Sequence, residues 1–165
     1  MRRLFVDPSL RLCGYAIFDG QNLYRSGILK SSDRVWQEAA HEIARALSVI
    51  VNKYDIELAY IEEPNLVHSP KGHAVMFSGA LQKLYFVVGC IFGILGEHLG
   101  YQHITFIPVY QWKGQLPKQL TTVRVNRKYH LHLDWKTNEN NIADAIAIGD
   151  WYLNERKKPA TGSTR

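Results

Sequence analysis

Cysteine is scarce in this chain of 165 residues. There are two, Cys13 and Cys90, far apart and in no Cys-x-x-Cys pair. A zinc ribbon is therefore excluded and a disulfide framework is not expected. Two reduced thiols of a cytosolic protein fit the count, although a single Cys13–Cys90 bridge stays open. Long apolar runs are also missing. The longest, residues 84–95, is too short to span a bilayer and is closed by Lys83 and Glu97, so it reads as a buried helix. No secretory leader is expected, because after Met1-Arg2-Arg3 the apolar stretch is only Leu4-Phe5-Val6 before Asp7. Internal repeats and low-complexity blocks are absent. What remains is a globular composition, 46% apolar and 21% charged, in a chain long enough to close one core unaided. Residues 1–156 read as a single domain and 157–165 as a flexible basic tail.

Charge is unevenly placed. Residues 1–109 hold ten Lys/Arg and ten Asp/Glu, whereas residues 110–165 hold ten and five, so the whole net charge of +5 lies in the last third. Between Tyr110 and Lys136 stand Lys113, Lys118, Arg124, Arg127, Lys128 and Lys136 against one acid, Asp134. Such a stretch suits a polyanion; a solvated helix face is the plainer reading.

Turn and period signals predict short strands over residues 3–6, 12–18 and 23–29, joined closely enough to form an antiparallel meander. A helix follows over 35–53, with Ser31, Ser32 and Asp33 as candidate caps. A strand over 57–61 is stopped by Pro64. A long helix is predicted over 73–99, a strand over 103–107, a basic helix within 118–130 and a last helix over 139–155. Ser78, Gly79, Ala80, Gly89, Gly93 and Gly96 stud the long helix at a cost in helix stability, which suggests a second backbone packed close, such as that of another subunit. The order β-β-β-α-β-α-β-α-α gives an α/β fold with a mixed five-stranded sheet and helices on both faces.

Three acids stand out by position. Asp7 ends the first strand and Glu62 the fourth, where α/β sheets open into ligand-binding crevices. Asp144 sits inside the apolar stretch Ile142-Ala143-Asp144-Ala145-Ile146-Ala147-Ile148, where an unpaired carboxylate is costly to bury. A divalent cation shared with Asp7 and Glu62 removes that cost, and hard oxygen ligands suit Mg²⁺ or Mn²⁺. Turn formation at strand ends and pairing of Asp144 with a buried Arg are the plainer readings. His130-Leu131-His132 reads as incidental. Trp36, Trp112, Trp135 and Trp151 read as core or helix-packing residues.

Together these segments resemble RuvC-type Holliday-junction resolvases of the ribonuclease-H-like superfamily. Asp7-Pro8-Ser9-Leu10-Arg11-Leu12-Cys13-Gly14-Tyr15-Ala16 resembles the family's opening motif. Tyr60-Ile61-Glu62-Glu63 resembles its second motif, and Ala143-Asp144-Ala145-Ile146-Ala147 its last. Trp112-Lys113-Gly114-Gln115-Leu116-Pro117-Lys118 looks like a segment of the phage branch. The resemblance spans roughly residues 3–153, with the motifs in family order. It implies a ribonuclease-H-like fold, a homodimer joined through the long helix, and paired nicks in four-way DNA junctions. It also implies two Mg²⁺ ions per active site, with Mn²⁺ as substitute, held by Asp7, Glu62 and Asp144, and two-metal phosphodiester hydrolysis without a covalent intermediate.

One position departs from the family. The fourth ligand, Asp or His three residues before the last Asp, is Asn141 here. One helical turn keeps Asn141 beside Asp144, so its neutral carbonyl oxygen can still reach the metal, with one negative charge fewer. A natural variant of weaker metal affinity, a protein silenced by an Asp-to-Asn change, and compensation by another group all remain open. Lys113 would contact the phosphate near the scissile bond, and Lys118, Arg124, Arg127 and Lys128 the flanking phosphates, making binding steeply salt-dependent. In the loop 65–72, Lys71 would touch the DNA backbone. Phe77, just beyond, reads as core more readily than as a base-stacking residue, and Glu63 as solvated more readily than as a support behind the metal ligands.

Other readings stay in view: another nuclease or strand-transfer enzyme of the same fold, or a catalytically silent junction-binding protein. Actin-like ATPases share the strand–Asp–turn–Gly opening, but the chain is too short for their two lobes. The expected setting is the cytoplasm of a bacterial or phage-infected cell, with branched DNA as partner and no membrane.

Overall fold

The central strand is apolar on both sides. In the computed structural model, which describes residues 1–64, 79–114 and 116–155, β1 (Arg2–Asp7) buries Leu4 and Val6 toward one face of the sheet and Phe5 toward the other. A strand with two dry faces belongs inside the sheet, not at its edge. Its neighbours are β2 (Leu12–Asp19), antiparallel, and β4 (Ile56–Glu63), parallel. Beyond β2 lies β3 (Asn22–Lys30), antiparallel, and beyond β4 lies β5 (Ile104–Pro108), parallel. The order is β3-β2-β1-β4-β5, the mixed five-stranded sheet read from the sequence.

Helices cover both faces. On one, α1 (Trp36–Lys53) and α2 (Ala80–Leu99) bring Ile43, Leu47, Val87, Ile91 and Leu95 onto Leu4, Val6 and Ile61. Cys13 is buried in this layer, and both Cys13 and Cys90 are free thiols. On the other face, the one-turn helix α3 (Val109–Trp112), α4 (Lys118–Tyr129) and α5 (Asn140–Glu155) bring Trp112, Val125, Ala143, Ile146 and Ile148 onto Phe5, Phe18 and Tyr60. Phe5 stacks on Tyr60 with ring centroids 4.7 Å apart and meets Phe18 edge-on at 5.5 Å.

Close approach of α5 to the sheet depends on two glycines. A side chain at Gly14 of β2 would strike the backbone oxygen of Asn141 at 2.0 Å, and one at Gly149 would strike the Phe18 ring at 2.4 Å. These contacts fix the height of α5 over β1 and β2, and with it the position of Asp144.

Several local expectations change. The start of α1 has no side-chain cap at Val35; Asp33 instead accepts the Val35 N–H at 2.9 Å, and the Ser31 hydroxyl donates to Glu42. The described part of the long helix begins at Ala80, after Gly79 in the left-handed region at φ 69°. Residues 73–78 of the predicted helix, the loop 65–72 with Lys71, Phe77 and the tail 157–165 lie outside the described residues. His130 ends α4 with φ 55°, a helix-terminating role, and His132 is exposed. Trp135 is 38% exposed beneath Lys136 and so is not a core residue. Neither α3 nor the 3₁₀ turn Tyr101–His103 carries a sequence signal long enough to predict.

Candidate active site

Parallel pairing of β1 and β4 places Val6 opposite Ile61, so Asp7 and Glu62 leave the sheet side by side at the same end. In β2 the residue paired with Asp7 is Gly14, against which the Asn141 backbone rests. One turn further along α5, Asp144 is 3% exposed. Three acids distant along the chain are thereby held within one another's electrostatic field. Burial pushes the Asp7 carboxyl well above the usual carboxylate range, and the charges of Glu62 and Asp144 push it further; Lys113 and Lys118 pull the other way. Part of Asp7 still meets solvent, so the cluster opens to the surface on that side. Burial pushes Glu62 up to about 7 despite the nearby Lys113 ammonium, with the Asp144 charge adding to the rise. The Trp112 indole N–H faces Glu62 without closing a well-formed hydrogen bond.

Two carboxylate oxygens in this cluster, Glu62 Oε2 and Asp144 Oδ1, are buried and accept no hydrogen bond. Orphaned anionic acceptors are costly, and a cation is what satisfies them. Hard oxygen donors of this kind fit Mg²⁺ or Mn²⁺. Among the described residues, however, no three His, Cys, Asp or Glu side chains form a ready-made metal cage. A protein cation already stands in the cluster. Lys113, placed by α3 at the end of β5, brings its Nζ to 2.6 Å from Asp144 Oδ2. Lys113 is thus an acid partner within the site as well as a candidate phosphate contact.

Asn141 is held by its nitrogen. Its Nδ2 donates to the Leu12 carbonyl at 2.6 Å, which leaves Oδ1 as the side-chain atom free to meet a cation. Asn141→Asp would set a carboxylate oxygen against that carbonyl. The expected result is a metal-free protein about 1–3 kcal/mol less stable, with higher Mn²⁺ affinity. Melting with and without Mn²⁺ checks both; unchanged Mn²⁺ affinity and cleavage would mean that Asn141 is not a ligand.

The other bases of the predicted DNA grip divide. Lys118 is exposed at the start of α4, near enough to act on Asp7 and Glu62. Arg124 and Arg127 are exposed on the same helix, with no ion pair among the described residues. Lys128 is paired with Asp150, which also accepts from the Tyr129 hydroxyl at 2.8 Å. Glu63 is exposed. Two features of the site escaped the sequence reading, the Lys113–Asp144 pair and the position of Trp112 beside Glu62. The only advance signal was that Trp112 and Lys113 are adjacent in a basic segment.

No family model matches the chain. Its sequence is 28% identical over 154 residues to crossover junction endodeoxyribonuclease RuvC of Campylobacter jejuni, covering 90% of this chain and 92% of the relative. Its structure is similar to T. thermophilus RuvC in complex with Holliday junction substrate, with a TM-score of 0.71 at 15% identity, covering 96% of each chain. It is also similar to the Fowlpox virus resolvase in complex with Holliday junction DNA, with a TM-score of 0.57 at 16% identity over 96% of this chain and 100% of that one. The chain is similar in sequence to RuvC over nine-tenths of its length, and its sheet and helices have the ribonuclease-H-like fold of the junction resolvases.

Proposed function

We propose that this chain is a divalent-cation-dependent endodeoxyribonuclease that resolves four-way DNA junctions by paired nicks. The observation that carries the reading is the meeting of Asp7, Glu62 and Asp144 at one end of the sheet, with two of their oxygens buried and unsatisfied. The names and bound DNA of the similar proteins support the same substrate class.

In this reading Asp7, Glu62 and Asp144, with Asn141 Oδ1, hold two Mg²⁺ ions, for which Mn²⁺ substitutes. When bound, the ions supply activation of the attacking water and charge stabilisation of the departing 3′ oxygen. The chain's own part is to fix the carboxylates before the substrate arrives. Two strand ends and one buried helix turn do so. Lys118, Arg124 and Arg127 offer free positive charge to the flanking phosphates. The cytoplasm of a bacterial or phage-infected cell is the proposed setting.

Two cuts in opposing strands need two sites, and α2 offers a surface for a second copy of the chain. The apolar run over residues 84–95 reads as a buried helix, but the whole 20-residue helix is long and apolar enough to cross a membrane by length and composition, and only 28% of its most apolar window is buried. Tyr85 and Phe86 are 44% and 41% exposed, and open space lies where side chains at Gly89 and Gly93 would stand. Gly96 has a different reason to be small, because a side chain there would strike the chain's own Tyr101 at 2.1 Å. Gly89→Leu is expected to keep the folded monomer, since nothing blocks the new side chain and Leu gains roughly 0.5–1 kcal/mol of helix propensity, but to weaken the dimer. Sedimentation velocity checks it as a more slowly sedimenting particle; an unchanged mass would remove Gly89 from the interface.

The reading is tested by incubating a synthetic four-way junction with the protein and Mn²⁺ or EDTA, beside linear duplex and RNA–DNA hybrid. Symmetric nicks in the junction with Mn²⁺ alone are expected. Cutting of the hybrid in preference points to another nuclease of the fold. Junction binding without cutting, in Asn141→Asp as well, points to a silent junction-binding protein.

A further inference from the structure

Lys113 and the metal reading make competing demands on Asp144. The Nζ–Oδ2 distance is 2.6 Å, and the two side chains are only 15% and 5% exposed, so solvent screens the pair little. The other oxygen, Oδ1, is buried without a partner. A divalent ion on a carboxylate whose second oxygen already holds an ammonium meets strong repulsion at short range. Lys113 stands at the edge of the cluster, next to an exposed residue. Its backbone is anchored by Trp112, 8% exposed, but the next residue is Gly114 at φ 55°, with no atom within 4 Å of the space a side chain would fill. In this same position the ammonium lies 5.0 Å from the Trp112 ring centroid, so the ring holds it as well as the carboxylate does.

We infer that Lys113 is the resident counter-cation of Asp144, and that it competes with a divalent cation for this carboxylate and leaves it when the cation binds. This rests on the nuclease reading and adds to it a positioning role. Lys113 keeps the carboxylate cluster tolerable in the metal-free protein, and cation uptake frees its ammonium for a phosphate. Metal binding and phosphate capture are then linked through one side chain. A residue that served only as a fixed phosphate contact would leave metal affinity untouched.

The test is calorimetric titration of the DNA-free protein with Mn²⁺, together with the Mn²⁺-induced shift in melting temperature. The proteins are the unsubstituted chain, Lys113→Met, Lys113→Gln and Lys113→Arg. Either neutral variant is expected to bind Mn²⁺ roughly tenfold more tightly, the scale of one charge-assisted hydrogen bond. Its melting shift is expected to be larger and its junction cleavage slower. Lys113→Arg keeps the charge and is expected to stay near the original affinity. A damaged fold would weaken metal binding, so tightening cannot come from misfolding, and either neutral variant suffices. Equal or weaker Mn²⁺ affinity in the folded neutral variants overturns the inference, and leaves the nuclease reading standing if the unsubstituted chain binds Mn²⁺ and cuts. Absence of Mn²⁺ binding in every protein overturns both.

Discussion

Asp7→Asn is expected to cut junction cleavage by roughly a thousandfold or more while junction binding persists, and to raise the melting temperature of the metal-free protein. The loss follows from its place beside the other two acids. The proposed mechanism draws several kcal/mol of transition-state stabilisation from the ions these acids hold, and each 1.4 kcal/mol is about tenfold in rate. The gain in stability has the same origin. Glu62 and Asp144 both raise the cost of ionising Asp7 in the metal-free protein, so a neutral amide of the same shape relieves repulsion at all three. A residue kept for stability would show the opposite sign. Nicking of a labelled junction, gel-shift binding and thermal melting test the three parts. Cleavage at the original rate by Asp7→Asn would remove the residue from the reaction.

Stability of the metal-free protein should fall as pH rises from about 5 to 8, and Mg²⁺ should restore it at the upper end. In the unfolded chain Glu62 titrates near its ordinary 4.5, whereas in the fold burial carries it to about 7; Asp7 is shifted in the same direction. Between those values the folded state binds more protons than the unfolded state. Unfolding free energy therefore declines through that window, being fully favoured below the unfolded value and lost as pH rises through the folded one. The Glu62 contribution is on the order of 2–3 kcal/mol, which for a domain of this size is a change of several degrees in melting temperature. Ordinary salt-bridged carboxylates would give the reverse slope. Melting curves at pH 5 and pH 8, with EDTA or with Mg²⁺, measure it. A metal-free protein more stable at pH 8 than at pH 5 would mean that the carboxylates are not crowded.

Much of this geometry was legible in the chain. Leu4-Phe5-Val6 followed by Asp7, and Ala59-Tyr60-Ile61 followed by Glu62, are apolar strand interiors running into acids, and pairing of adjacent parallel strands brings such ends together. Asp144 betrayed itself by lying among Ile and Ala, where no solvated carboxylate belongs. Side-chain partners across long sequence separations were not legible. Lys113 and Asp144 are 31 residues apart, and their contact depends on a four-residue helix and on how closely α5 settles over Gly14. The bond from Asn141 to Leu12 crosses 129 residues and fixes which of its atoms faces the site. Sequence periodicity carries no such information, because it reports which face of an element is apolar and not which polar atoms meet. The small residues of α2 were misread in one instance for the same reason, since Gly96 makes room for Tyr101 of its own chain.

Crystals of the protein soaked in Mn²⁺ and measured at an X-ray wavelength where manganese scatters anomalously would locate the cation independently of any activity. Shared use of the three acids requires an anomalous peak in contact with oxygens of Asp7, Glu62 and Asp144 together. A peak elsewhere, or none at saturating Mn²⁺ with the three side chains unchanged, would contradict it.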